Sequence, residues 1–208
     1  MKQPIRKSTL KRLCERIARG PTPAGVSVAA ISASLALGLL IMTLEVTARR
    51  DDTVRNRRRV GRLLRAARTA CGTMLDLADE DAAAFGAYLE SRRLPRHNQR
   101  ENAKRERALG SSLRRATQVP LKVARTAALS LGLCADAAEI VYRGVAADLD
   151  AAALTLGASA RIALGSARTN MARLDRGSAY YAKALAEADQ IERKTLDFIE
   201  RALARNSF

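Results

Sequence analysis

Residues Pro21–Glu45 read PTPAGVSVAAISASLALGLLIMTLE. No charged side chain occurs from Ala24 to Leu44, and arginines flank the segment at Arg16, Arg19, Arg49 and Arg50. A helix of that length rises about 30 Å, enough to cross a bilayer. The same segment also suits the inner helix of an all-helical protein. Its many small residues, from Ala29 to Gly38, let neighbouring helices approach closely in either setting.

On the N-terminal side, residues 2–18 predict a short basic amphipathic helix, with Ile5, Leu10, Leu13 and Ile17 on one face. A secretory signal would run from its basic end directly into its apolar core. Here GPTP (Gly20–Pro23) intervenes, so a signal peptide fits poorly.

On the C-terminal side, a helix is expected from about Asp52. Val60, Leu64, Ala67, Cys71, Met74, Ala78, Ala82, Phe85 and Leu89 recur in steps of three and four, which makes one stripe. Arg58, Arg59, Arg62, Arg65 and Arg68 occupy the other face. Pro95 marks a connector over about 92–100. Further helices are expected over 101–117, from Pro120 to about Tyr142, over 146–174 and over 178–204. Proline is tolerated in a first turn, so Pro120 reads as a helix start.

Composition agrees with an all-α chain. Of 208 residues, 48% are hydrophobic but only 3% aromatic, with no Trp, and strand formers are scarce. The formal net charge of +16 favours anionic partners. Nucleic acid or anionic lipid would be such partners, but no docking motif or stacking aromatic accompanies the charge. Three widely spaced cysteines (Cys14, Cys71, Cys134) and one histidine (His97) suit neither a disulfide framework nor a histidine metal cluster, and no Ser-His-Asp triad is expected.

Two carboxylates stand out among many that neighbour arginines. Asp81 is three residues after Ala78 and four before Phe85, on or beside the apolar stripe. Asp148 opens a segment whose only other charges before Arg168 are Asp150 and Arg161. A buried carboxylate is costly unless paired or used. Each could form a structural ion pair with an arginine of a neighbouring helix, or each could serve a site.

Four stretches then carry a family resemblance. PTPAGVSVAA (21–30) resembles the PTPGGGSVAA signature of the cyclodeaminase/cyclohydrolase family. LADEDAAAFGAYLESRRLP (77–95), ATQVPLKVA (116–124) and EIVYRGVAADLDAAALTLGASARIALGSARTN (139–170) resemble three further segments of that family. The intervals between these segments agree without gaps over 21–170.

The resemblance implies a single domain over 1–208: a basic N-terminal helix (1–19), a core (21–170) and a C-terminal helix (176–205). The implied fold is an up-and-down bundle of long helices that forms a homodimer, with the apolar segment as a buried central helix packed on all sides. It also implies a cytoplasmic location. The implied substrate is a tetrahydrofolate derivative, and no metal is needed.

Two reactions fit the resemblance. One hydrolyses 5,10-methenyltetrahydrofolate to 10-formyltetrahydrofolate. The other cyclises 5-formiminotetrahydrofolate with release of ammonia. Both need a base and an acid around a cationic carbon. Asp81 is the first candidate for base or cation stabiliser, and Asp148 the second. Pro23, Gly25, Ser27, Arg50, Arg161 and Asn170 are the candidate substrate-binding residues. The alternative is a repurposed family member whose helical dimer binds an anionic ligand or partner without catalysis.

The chain departs from the family pattern at several places. Ala24 and Val26 replace signature glycines. The segment Glu45–Thr53 keeps only Arg50 as a positive charge where the family carries lysines. Ala147 precedes Asp148 in place of a serine, and Ser166 stands for an asparagine. Glycine permits positive φ, so Ala24 and Val26 are expected to resist such a conformation and narrow the site.

Overall fold

The computed structural model describes residues 4–50 and 54–204. Six α-helices result: α1 (Leu10–Arg19), α2 (Gly25–Arg50), α3 (Val54–Arg92), α4 (Gln99–Ala138), α5 (Ala146–Met171) and α6 (Ala179–Leu203). No described residue is in a strand.

Helices α2, α3, α4 and α5 form a ring in which each packs on the next, and α5 closes against α2. The connections are short, so neighbours run antiparallel. Helix α6 lies against α4 and α5. Leu37, Leu40, Leu44, Met74, Val119, Leu131, Leu149 and Leu156 fill the core. Cys134 is one of these core side chains, and burial pushes its thiol up to about 12.

Helix starts follow local capping chemistry. The Thr9 side chain accepts from the Arg12 N–H, Asn98 from Glu101, and Ser178 from Tyr181. Glu101 reaches back to accept the His97 N–H at 2.9 Å.

The structure corrects two expectations. The N-terminal helix is shorter than 2–18. Ile5–Lys7 form a separate 3-10 turn, and the chain is extended at Ser8 before Thr9 caps α1. That turn is fastened to α3: Ile5 is buried, its N–H donates to Asp79, and Arg6 pairs with Asp76 and Asp79.

The second correction concerns Pro120, which starts no helix and sits inside the 40-residue α4. An internal proline cannot donate to the carbonyl four residues earlier, here Ala116. The Asn170 side-chain amide donates to that carbonyl instead, at 2.7 Å. The acceptor freed by the proline thus becomes a bond between α4 and α5, and the helix continues.

Helix α2 keeps one uncovered edge within a single chain. It is long and apolar enough to cross a membrane, and about half of its most apolar window is buried. Ala29, Ala30, Ala33 and Leu37 are fully enclosed, whereas Leu35 is 68% exposed. A single chain therefore leaves one side of α2 uncovered. Asp51–Thr53, part of the segment that departs from the family pattern, lie outside the described residues.

Candidate functional site

The N-terminus of α2, the C-terminal third of α3, the Pro120 region of α4 and the C-terminal half of α5 meet at one end of the four-helix ring. They enclose a cavity of about 500 Å³. Asp81 is the one carboxylate on its wall; Val26, Phe85, Pro120 and Ile162 supply apolar surface, and Arg161 and Arg173 supply positive charge.

Helical spacing puts Asp81 here. It lies one turn from Ala78 and one turn from Phe85, so it faces inward with them, and only 8% of it is exposed. Desolvation is the main influence on its carboxyl and raises its pKa above the ordinary aspartate value; hydrogen bonding from Ser27 opposes this in part.

Ser27, in the first turn of α2, is fully buried. Its hydroxyl oxygen is 2.7 Å from Asp81 Oδ2 and 3.3 Å from the Ala78 carbonyl oxygen. One hydroxyl can serve both protonation states of Asp81. When Asp81 is ionised, Ser27 donates to it. When Asp81 is protonated, Ser27 accepts from it and donates to the Ala78 carbonyl. The arrangement gives the carboxyl a hydrogen-bond partner in either protonation state.

The glycine replacements are accommodated. No described residue has positive φ, so the PTPAGVS turn demands nothing that Ala24 or Val26 cannot adopt. Val26 is helical, 6% exposed, and lines the cavity, so it does narrow the site. Gly25 opens α2, and a Cβ added there would touch only Ile162 at 3.9 Å.

Among the residues singled out from the sequence, Asp81, Gly25, Arg161 and Asn170 line this cavity. Ser27 stands behind Asp81, and Pro23 is buried between the lining residues Thr22 and Ala24. Asp148 and Arg50 are elsewhere. Asp148 is in the first turn of α5, about 20 Å along that helix from Arg161. Arg50 ends α2, about 37 Å along it from Gly25, and its guanidinium lies 5.5 Å from the centre of the Tyr142 ring. The two candidate carboxylates therefore do not share a cavity. Asn170 has a structural duty as well, since its amide is committed to Ala116.

Sequence reasoning missed Phe85, Ile162, Thr169 and Arg173 as site residues. The signal for the last two was available: Arg161, Gly165, Thr169 and Arg173 follow steps of four, and all four line the cavity. Arg173 has no ion-pair partner among the described residues, whereas Arg161 acts on Glu192.

Comparisons with known proteins complete this description. The family model Formiminotransferase-cyclodeaminase matches residues 9–190. The formimidoyltransferase-cyclodeaminase of Mus musculus is 38% identical over 115 residues, covering 52% of this chain and 20% of that protein. The chain thus spans about one fifth of the length of that relative. The methenyltetrahydrofolate cyclohydrolase of Methylorubrum extorquens is 28% identical over 155 residues, 74% of each chain. The crystal structure of formiminotetrahydrofolate cyclodeaminase from Thermotoga maritima superposes with a TM-score of 0.85 over 96% of both chains, at 21% identity, a likeness of fold.

Proposed function

The chain belongs to the formiminotransferase-cyclodeaminase family, and from that premise we propose that the Asp81 cavity acts on a tetrahydrofolate bearing a one-carbon unit between N5 and N10. The observation that carries the proposal is the single desolvated carboxyl, Asp81, held by Ser27 in a cavity with no other acid on its wall.

The reactive carbon of a methenyl-folate is part of a cationic amidinium. Ionised Asp81 stabilises that cation and orients a water against it. As the water oxygen bonds to carbon, its proton passes to Asp81, whose raised pKa suits it to hold one. The carbon–N5 bond then breaks as protonated Asp81 returns the proton to N5, and the remaining hydroxyl proton leaves to solvent as the formyl C=O forms. In the related cyclisation of a protonated formimino-folate, N10 attacks the carbon and gives its proton to ionised Asp81, which passes it to the amino group; the carbon–nitrogen bond then breaks and ammonia leaves. Phe85 and Ile162 supply apolar surface for the flat ring system, and Arg161 and Arg173 are placed to meet carboxylates of the glutamate tail. The reading includes a cytoplasmic location.

Adding the protein to methenyltetrahydrofolate should speed the loss of its absorbance. Asp81→Ala should slow the catalysed rate by a factor of about 10²–10⁴, the usual contribution of a positioned general base. Decay at the buffer rate with the native protein would reject hydrolysis. If ammonia release from formimino-folate were absent too, the enzymatic reading would fall.

The reading extends to a homodimer that buries α2 more fully. Leu35 of α2 and Leu154 and Ile162 of α5 are exposed. The approach of Gly25 to Ile162 sets the antiparallel register and brings Leu35 level with Leu154. Exposed apolar side chains on two adjacent helices are candidates for an interface. Sedimentation should give a dimer for the native chain and a monomer for Leu35→Glu/Leu154→Glu. A native monomer at micromolar concentration would contradict the pairing.

A further inference from the structure

At the opposite end of the ring, the first turns of α3 face the C-terminal end of α4 across an open groove of about 1100 Å³. Its walls are Arg57, Arg58, Arg59, Gly61, Arg62 and Arg65 of α3, and Asp136 of α4. Arg59 braces the groove by donating to the Asp136 backbone carbonyl at 2.9 Å and to Glu139 at 2.6 Å. Asp136 is the one acid on the wall, and its carboxylate lies 3.8 Å from Arg201. Arg58, Arg62 and Arg65 have no ion-pair partner among the described residues, and all three are exposed.

The spacing of these three is regular. They follow steps of four and three on one helix, with about 5–6 Å between successive Cβ atoms. That is close to the separation of adjacent phosphorus atoms along a nucleic-acid strand. Guanidinium groups pair with phosphate oxygens through two parallel N–H donors. The three lie along about 10 Å of helix axis, so successive phosphates of a strand can each meet one arginine.

We propose that the α3 arginine groove binds the phosphate backbone of double-stranded nucleic acid, without reading its sequence. No described aromatic lines the groove, so it offers no stacking platform for unpaired bases. None of the exposed large hydrophobics lines it either, so it lacks the apolar anchor with which a membrane-surface helix enters lipid. The Asp81 cavity lies about 28 Å further along α3 from Arg62, so this binding is independent of the one-carbon reaction.

The test is fluorescence anisotropy with a labelled 20-base-pair DNA duplex and the full chain. Three neutralised phosphates give a slope of log affinity against log salt of about −2.7, or about 40-fold weaker binding at 200 mM than at 50 mM salt. Arg58→Glu/Arg62→Glu/Arg65→Glu should weaken binding at least ten-fold at 50 mM salt and flatten the slope by about 2.7. The control is Lys104→Glu/Arg107→Glu/Arg115→Glu, which removes the same net charge from the other end of α4 and should stay within two-fold of native. Circular dichroism checks that both variants remain helical. Equal weakening by both triple variants, no binding of duplex at 50 mM salt, or salt-sensitive capture only by phosphatidylserine vesicles would each overturn the proposal.

Discussion

The two ends of the helical ring handle charge in opposite ways. At one end a single carboxyl, Asp81, is withdrawn from water, held by Ser27, and shifted in its titration by desolvation. At the other, Arg58, Arg62 and Arg65 stand in solvent along one face of the same helix. Enclosure changes the chemistry of a charged group, because its proton affinity then depends on the few neighbours it keeps. Exposure leaves that chemistry alone and gives instead a field that acts on other molecules. A charged side chain on α3 therefore suggests a reaction at one end of the helix and binding at the other.

The largest effect that would sharpen this contrast is the loss of activity in Asp81→Ala already described. No single arginine at the far end should approach it. Next in size is the bond that supports the cavity floor. Asn170→Ala removes the donor to the Ala116 carbonyl and should cost about 1–3 kcal/mol in chemical denaturation, the usual penalty for stranding such a group. Pro120→Ala restores a backbone N–H that can reach the same carbonyl. The double variant should therefore recover much of the loss, giving a clear coupling in a double-mutant cycle. Additive losses would show that Asn170 does not compensate for the proline.

A smaller effect concerns the stability that Asp81 forfeits. Its folded pKa lies above the unfolded value of about 3.9. Its contribution to stability is therefore fully present below the unfolded pKa and is lost as pH rises through the folded one. Asp81→Asn, which keeps the shape and a partner for Ser27, should melt higher than native at pH 7, with the gap closing near pH 3.5. A variant that melts lower at pH 7 would mean that the carboxylate is stabilised where it lies.

Much of this was legible in the sequence. The apolar run at 24–44 and the stripe from Val60 to Leu89 predict long helices, and α2 and α3 follow them. Asp81 was legible for the same reason, since its spacing from Ala78 and Phe85 places it on the inner side. Pro120 was misread because local preference takes no account of Asn170, fifty residues away, which takes over the freed carbonyl. The placement of Asp148 beside Asp81 failed on arithmetic the sequence already contained. Asp148 and Asn170 lie on one helix, 22 residues and about 33 Å apart, too far for both to line a cavity of about 500 Å³. The exposed edge of α2 was hidden for another reason: an apolar helix reads the same whether its last face meets its own chain, a second copy or lipid.

The account rests on Asp81 being a carboxyl whose affinity for protons is raised by enclosure. Carbon-13 NMR of the aspartate side-chain carboxyls, with Asp81 assigned by its disappearance in Asp81→Asn, measures this directly. The Asp81 resonance should titrate with a midpoint clearly above 3.9, the ordinary aspartate value, and Ser27→Ala should move it higher still. A midpoint at or below the ordinary value would mean that water or a cation reaches the group, and the chemistry assigned to this end of the bundle would be contradicted.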